Sequence, residues 1–470
     1  MGKHEQLAIL WTMDQSELLA VIKQCRRVLR QNNRGHHTMP AADMYPHQWL
    51  WDSCFIAIGL RHINIARAQA EILSLFRGQW SNGMLPNIIF SPDAVYETDR
   101  RVWFSRVSPF APDMVATSGI TQPPMVAEAV HKIGQLLPKT ERRSWYKATL
   151  PHLIRYHEWL YAERDPHAEG LVLQIHPYET GLDNTPPWIV QLTEHHRPWW
   201  LSAIKSLHME PVINFFRRDT RTVPASQRMS NMEALMYWDV IRRLKRKHYE
   251  IDKILHRSLF CIEDLTFNSI FIRANSLLVE MAEVAGIELS DDLQQRIHTS
   301  QSAIEQLWSE ADQTYYSRDF ITHDLIQEPS IASLIPLYSG AISAAHAKKL
   351  VEQLQDHRQF WLNYMVPSVP MQSRFFNPIN YWQGPVWINT NWLIVDGLER
   401  YGYHQVAQEI RQASLQLVAE HGPAEYFSPI DAKPLGNQAF SWTAALSLDF
   451  IDQLTNQTTG RRHSSRQTSK

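Results

Sequence analysis

Three carboxylates along this chain stand apart from other charges and among rings and prolines. Asp183 lies in the run HPYETGLDNTPPW (176–188), Glu425 in HGPAEYFSP (421–429) and Asp52 in YPHQWLWD (45–52). A carboxyl group set against apolar rings resists ionisation, so its pKa rises. That is what a general acid needs near neutral pH. One acid and one base of this kind suffice to hydrolyse a glycosidic bond without metal or cofactor. Glu179 shares its segment with Asp183, and residue pattern alone leaves either as the acid. Glu425, distant in sequence, is the natural second carboxylate.

The neighbours of these acids suit a sugar. An indole face stacks on the apolar C–H face of a pyranose, while carboxylates and amides take its hydroxyls. Trp49 and Trp51 flank Asp52, with Tyr45 just upstream. SNGMLPN (81–87) offers Asn87, and ITQPP (120–124) offers Gln122 ahead of a helix start. Trp188 closes the Asp183 segment. NYWQGPVWINTNW (380–392) supplies Tyr381, Trp382, Gln383 and Trp387, and Trp442 follows Glu425 in PLGNQAFSWT. Each run also has a plain reading: Asp52 as a helix-start acid, 81–87 as a turn, Glu179 and Asp183 as solvated loop acids. Together they describe a pocket for a neutral or mildly charged carbohydrate.

Other chemistries lack their residues. No GxxxxGK[ST], GxGxxG, HExxH or GxSxG occurs. The adjacent pairs His36-His37 and His195-His196 are poorly spaced as joint metal ligands, so no metal and no cofactor are expected. Lys plus Arg number 46 against 48 acids, which leaves no global field for nucleic acid. Cys25, Cys54 and Cys261 are too far apart for a CxxC pair or a disulfide framework. No apolar run would span a bilayer, and the N-terminus lacks a signal-peptide layout. A cytoplasmic protein with a small carbohydrate as its partner is the expectation, with homo-oligomerisation left open.

The elements that must hold these residues are helices. Ile270, Ala274, Leu277, Leu278, Met281 and Ala285 repeat at steps of three and four, as do Val406, Ile410, Ala413 and Leu417. Similar stripes cover 14–31, 52–77, 122–137, 296–308, 343–354, 387–401 and 440–454. Leu171–Ile175 is the best strand candidate. Glycine, at 17 residues, is scarce, so few turns are tight. Long irregular segments at 32–50, 78–120, 165–200, 356–386 and 421–439 are rich in Trp, Tyr, Pro and Asn. They read as ordered loops that carry function. Helix hairpins joined by such loops fit a closed ring. The basic, helical stretch 218–258, with IRRLKRKH at 241–248, reads as an insertion in a unit covering 1–455, and 456–470 as a disordered tail. Of the 17 tryptophans, Trp145, Trp159 and Trp308 fall in helical stripes and are expected in the core.

QWLWD (48–52), NGMLPN (82–87), ETGLDNTP (179–186), YWQGPVWIN (381–389) and the pair EYFSP with GNQAFSWTAA (425–445) resemble the signatures of glycoside hydrolase family 63. Within it, the chain is most similar to the short bacterial members that act on mannosylglycerate and glucosylglycerate. The resemblance spans about residues 40–450. It implies an all-α (α/α)6 barrel, a six-hairpin toroid whose long loops form the active site. It implies an inverting mechanism, with the general acid at Asp183 and the general base at Glu425. Sugar-binding positions fall on Trp49, Trp51, Asp52, Trp382 and Gln383. For an acidic aglycone, Arg217, Arg218 and Tyr237 are candidate partners. The rival expectations are a non-catalytic sugar-binding protein, or a phosphorylase or epimerase on the same barrel.

Overall fold

The computed structural model describes residues 13–194 and 219–467. His195, His196, Arg217 and Arg218 lie outside the described residues. Within them, twelve helices form two concentric rings. They are α1 (Gln15–Gln31), α2 (Leu50–Leu60), α3 (Ile65–Phe76), α4 (Val126–Gln135), α5 (Lys139–Arg164) and α6 (Leu265–Ala285), then α7 (Asp291–Ala303), α8 (Pro336–Ser339), α9 (Ala344–Leu354), α10 (Ile388–Arg400), α11 (His404–His421) and α12 (Ser441–Gln467). The even-numbered helices pack each on the next, and α12 packs back on α2, so the inner ring closes. The odd-numbered helices lie outside it. This is the expected (α/α)6 barrel.

Sequence explains which helix goes where. All eleven residues of α2 are buried, because LWDSCFIAIGL carries no polar stripe and must be covered on every side. In α1 only Val21, Cys25, Val28 and Leu29 are buried, a single stripe that places it outside. Local signals fix the ends. Asp14 and Glu17 form a capping box on α1. Asp264 caps α6, which stops at Gly286 with φ +68°. The stripe read as one helix over 52–77 is two, because Asn64 caps a new start at α3. The last helix continues through most of the segment read as a tail.

Leu171–Ile175 is not a strand. Its backbone bonds go to helix ends: Leu173 N–H donates to the Arg164 carbonyl and Val172 N–H to the Asn268 side chain. Gln174 alone makes a bridge, to Ile262. The chain there threads between helix ends and meets the short Ile262–Glu263 strand at that one residue. Trp145 and Trp159 are core residues as expected, whereas Trp308 is half-buried and stacks on His346 at 3.8 Å.

Short ribbons brace one end of the barrel. Gln48–Trp49 pairs with Ile88–Ile89, and Tyr426–Phe427 with Pro434–Leu435. In 218–258, helices span Asp219–Thr222, Asn231–Arg246 and Ile251–Leu255, and the second packs on a helix at Glu97–Trp103. The basic run is internally engaged. Arg242 and Arg243 both pair with Asp239, and Lys245 and Lys247 donate to main-chain carbonyls. No helix among the described residues is long and apolar enough to cross a membrane.

Candidate active site

At that end of the barrel, loops far apart in sequence converge on a narrow cavity of about 50 Å³. Asp52, Asp183 and Glu425 line it together with Tyr45, Trp49, Trp51, Gln122, Tyr381, Trp382 and Trp442. Trp51 and Asp52 sit in the first turn of α2, Trp442 in the first turn of α12, Trp49 in the Gln48–Trp49 ribbon, and the rest come from loops. A larger cavity, about 1010 Å³, lies elsewhere between the 34–48 and 89–117 loops. It holds none of these three carboxylates, and the smaller cavity holds all of them.

Asp183 is half-buried, and burial is the main cause that raises its pKa to about 7. Arg228 and the Tyr381 hydroxyl oppose that rise, the latter by a 3.2 Å hydrogen bond to Oδ2. The backbone is pinned as well: Tyr237 O–H donates to the Asp183 carbonyl, and Trp188 Nε1–H to the Leu182 carbonyl at 3.0 Å. Glu425 is almost fully buried. Its Oε1 accepts from Tyr45 O–H and from the Arg228 guanidinium, each at 3.0 Å, and its Oε2 from Asn437 N–H at 2.9 Å. Asp52 is buried too. Burial first, then the nearby Glu425 and Asp183, hold its carboxyl well above the usual range. Two of the three acids are thus disposed to carry a proton. Glu425 instead faces a cation.

The tryptophans divide into wall and support. Trp51 packs on Gly181, whose φ is +77° and whose missing side chain lets the ring approach the acid loop. Trp382 lines the cavity and stacks on Trp387 at 3.8 Å, with planes 4° apart. Trp387 lies behind it, bonded by Nε1–H to the Tyr381 carbonyl at 3.0 Å. Trp49 and Trp442 are wall residues whose buried Nε1–H groups have no acceptor among the described residues. An unmet buried donor costs free energy until something accepts from it.

Asn87, Trp188 and Gln383, expected as ligand contacts, do not line the cavity. Asn87 is buried against Ser118 and holds the 87–120 strap; Trp188 backs the acid loop. Gln383 donates to the Asn184 carbonyl at 3.2 Å, because Asn184 is the knot between the 179–186 and 380–383 loops. Glu179 is also outside the cavity, fully buried in an ion pair with Arg164. The residue the sequence reading missed is Arg228. Its guanidinium lies 4.0 Å from the Tyr381 ring centre and reaches Glu425. Only its place in the 218–258 stretch, among several other cations, hinted at it.

A helical toroid with carboxylates and indoles at one mouth fits a glycoside hydrolase. The model of the mannosylglycerate hydrolase MGH1-like glycoside hydrolase domain matches residues 45–443. The chain belongs to this family, within glycoside hydrolase family 63. It is 36% identical to a mannosylglycerate hydrolase of Thermus thermophilus, over 90% of this chain and 98% of that protein. It is 30% identical to a glucosylglycerate hydrolase of Mycolicibacterium hassiacum, over 90% and 96%. The crystal structure of a Thermus thermophilus family 63 mannosylglycerate hydrolase in complex with Tris and D-glycerate superposes with a TM-score of 0.81. That match has 32% identity and covers 92% of this chain and all of that one.

Proposed function

We propose that this enzyme hydrolyses a small glycoside of glycerate, mannosylglycerate or glucosylglycerate, with inversion at the anomeric carbon. The observation that carries the mechanism is the contrast between two acids on one cavity. Asp183 is raised to about 7 by burial, and Glu425 is paired with the Arg228 guanidinium. In this reading Asp183 enters protonated and gives its proton to the glycosidic oxygen as the C–O bond breaks. Glu425 takes a proton from a water on the opposite face of the ring, and that water's oxygen forms the new bond. The indoles of Trp51 and Trp382 hold the ring and exclude other water. The unmet Nε1–H groups of Trp49 and Trp442 donate to sugar hydroxyls. Asp52, beside Trp51, accepts from or donates to a third.

Arg228 supports the acidic aglycone. It is the guanidinium next to the two acids; its Nη atoms donate to Glu425 and Tyr45, and its buried Nε–H, without a hydrogen-bond acceptor among the described residues, is the donor left for a carboxylate. The related Thermus thermophilus enzyme, solved with D-glycerate, makes glycerate the first aglycone to test. The test is hydrolysis of mannosylglycerate and glucosylglycerate beside kojibiose, nigerose and trehalose, followed by proton NMR. Free glycerate together with the inverted sugar anomer is expected, without added phosphate. A retained anomer would make Glu425 a nucleophile, and a phosphate requirement would make the protein a phosphorylase.

A further inference from the structure

Glu179 and Arg164 form a buried pair that no step above uses. Glu179 is fully buried and Arg164 almost so. Glu179 Oε1 accepts from Arg164 at 2.8 Å and from Thr121 N–H at 3.2 Å. Its Oε2 accepts from Ile175 N–H at 2.7 Å and from Arg164 at 3.2 Å. With four donors on its two oxygens, this carboxylate is held inside the protein and has no free side toward the sugar. The pair instead gathers three chain segments. Arg164 ends α5, and its carbonyl accepts from Leu173 N–H at 2.8 Å. Thr121 precedes Gln122, a cavity residue. From Glu179 the chain reaches Asp183 in four steps stitched together locally: Thr180 O–H donates to the Pro177 carbonyl, and Leu182 N–H donates to Thr180 Oγ1.

Stability alone is a weak reason for such a pair, since well-packed apolar residues of similar volume often serve as well. What a bidentate fork adds is a fixed angle and distance. We propose that Arg164 and Glu179 are positioning residues for proton donation, setting the Asp183 loop at the height where its carboxyl meets the glycosidic oxygen. This rests on Asp183 being the acid. It assigns the pair no contact with substrate and no part in activating water at Glu425.

The test compares two leaving groups. An alkoxide such as glycerate needs Asp183's proton. A glycosyl fluoride of the same sugar does not: the C–F bond breaks, fluoride leaves with the electron pair, and water attacks with its proton passing to Glu425. In the double variant Arg164→Met/Glu179→Leu, kcat on the glyceryl glycoside should fall roughly 10- to 100-fold while KM stays within about threefold. Turnover of the fluoride should stay within about threefold of the parent. Equal losses on both substrates would reduce the pair to a structural tie and overturn the proposal, as would no loss on either. If the double variant fails to fold by circular dichroism, Glu179→Gln is read by the same ratio. Asp183→Asn is the control. Should it lose fluoride turnover as fully as glycoside turnover, the acid assignment itself is wrong, a result independent of what the pair variants do.

Discussion

At the residue scale, the cavity gives similar carboxylates different surroundings. Asp183 should behave as an acid with a pKa near 7, because burial outweighs Arg228 and Tyr381. Activity that needs its proton is then full below that pH and lost above it, so kcat/KM should carry an alkaline limb near pH 7. Asp183→Asn should cut turnover of the glycoside at least ~10²-fold. Stability carries the same signature with a definite sign. The folded pKa is raised from 3.8, so the stability tied to this proton is full below about pH 4 and gone above about pH 7. The melting temperature of Asp183→Asn relative to the parent should therefore climb as pH goes from 5 to 8; a flat difference would deny Asp183 its shifted pKa. Arg228 has two expected duties, and Arg228→Lys separates them. Lysine keeps the charge near Glu425 but loses the planar fork. KM for the glyceryl glycoside should rise about tenfold, with KM for a neutral disaccharide within about threefold. Equal KM changes on both substrates would remove the carboxylate-anchoring role.

At the element scale, the barrel helices were legible and the supports of the loops were not. A stripe such as Ile270 to Ala285 reports burial directly, since one face of a helix meets the core. The loop residues carry no period. What distinguishes Trp382 at the wall from Trp387 behind it is a stack between parallel rings, which no spacing rule encodes. Asn87 and Gln383 looked like ligand contacts because amides bind sugars. Asn87 Oδ1 and Gln383 Nε2 instead tie one loop to the next, a choice that depends on which segments meet in space. Arg228 was hidden for the converse reason: its partners Tyr45, Tyr381 and Glu425 come from loops up to 197 positions away. The acid loop offers its own test at Gly181. Alanine there would hold φ +77° at a cost of about 1–2 kcal/mol. Its methyl would also meet the Trp51 ring at 2.5 Å, so ring or loop must shift. Gly181→Ala should lower kcat by about 10- to 100-fold through misplacing Asp183, with the helical circular dichroism spectrum unchanged. Parent-like kcat would show that the loop's height does not control the chemistry.

At the scale of the whole molecule, a toroid has to close, and closure brings the last inner helix against the first. Near the mouth, Asn32 donates to the Ala439 carbonyl and to Ser441, each at 2.9 Å. At the other end of α2, about 15 Å away along the helix, one buried acid links the closing helices. Asp449 of α12 accepts from Arg61 at 2.7 Å, lies 2.8 Å from His62 Nε2, and accepts from Trp392 Nε1–H of α10 and from Gln453 at 2.8 Å each. Despite burial, Arg61 and the His62 hydrogen bond hold its carboxyl below the usual carboxylate range. A lowered folded pKa means that the stability tied to this charge is present above the unfolded pKa of about 4 and lost as pH falls below it. Asp449→Asn leaves Arg61 and His62 facing each other without the anion between them. Breaking a buried pair from one side costs about 3–5 kcal/mol. The urea midpoint at pH 7 should drop accordingly, and the gap to the parent should narrow as both are measured toward pH 3. Because the hydrogen-bond partners of Asp449 lie outside the cavity, kcat per folded molecule at 25 °C should stay near the parent's. A variant that unfolds at the parent's urea concentration would mean that the ring closes on its apolar packing alone, with Asp449 merely accommodated.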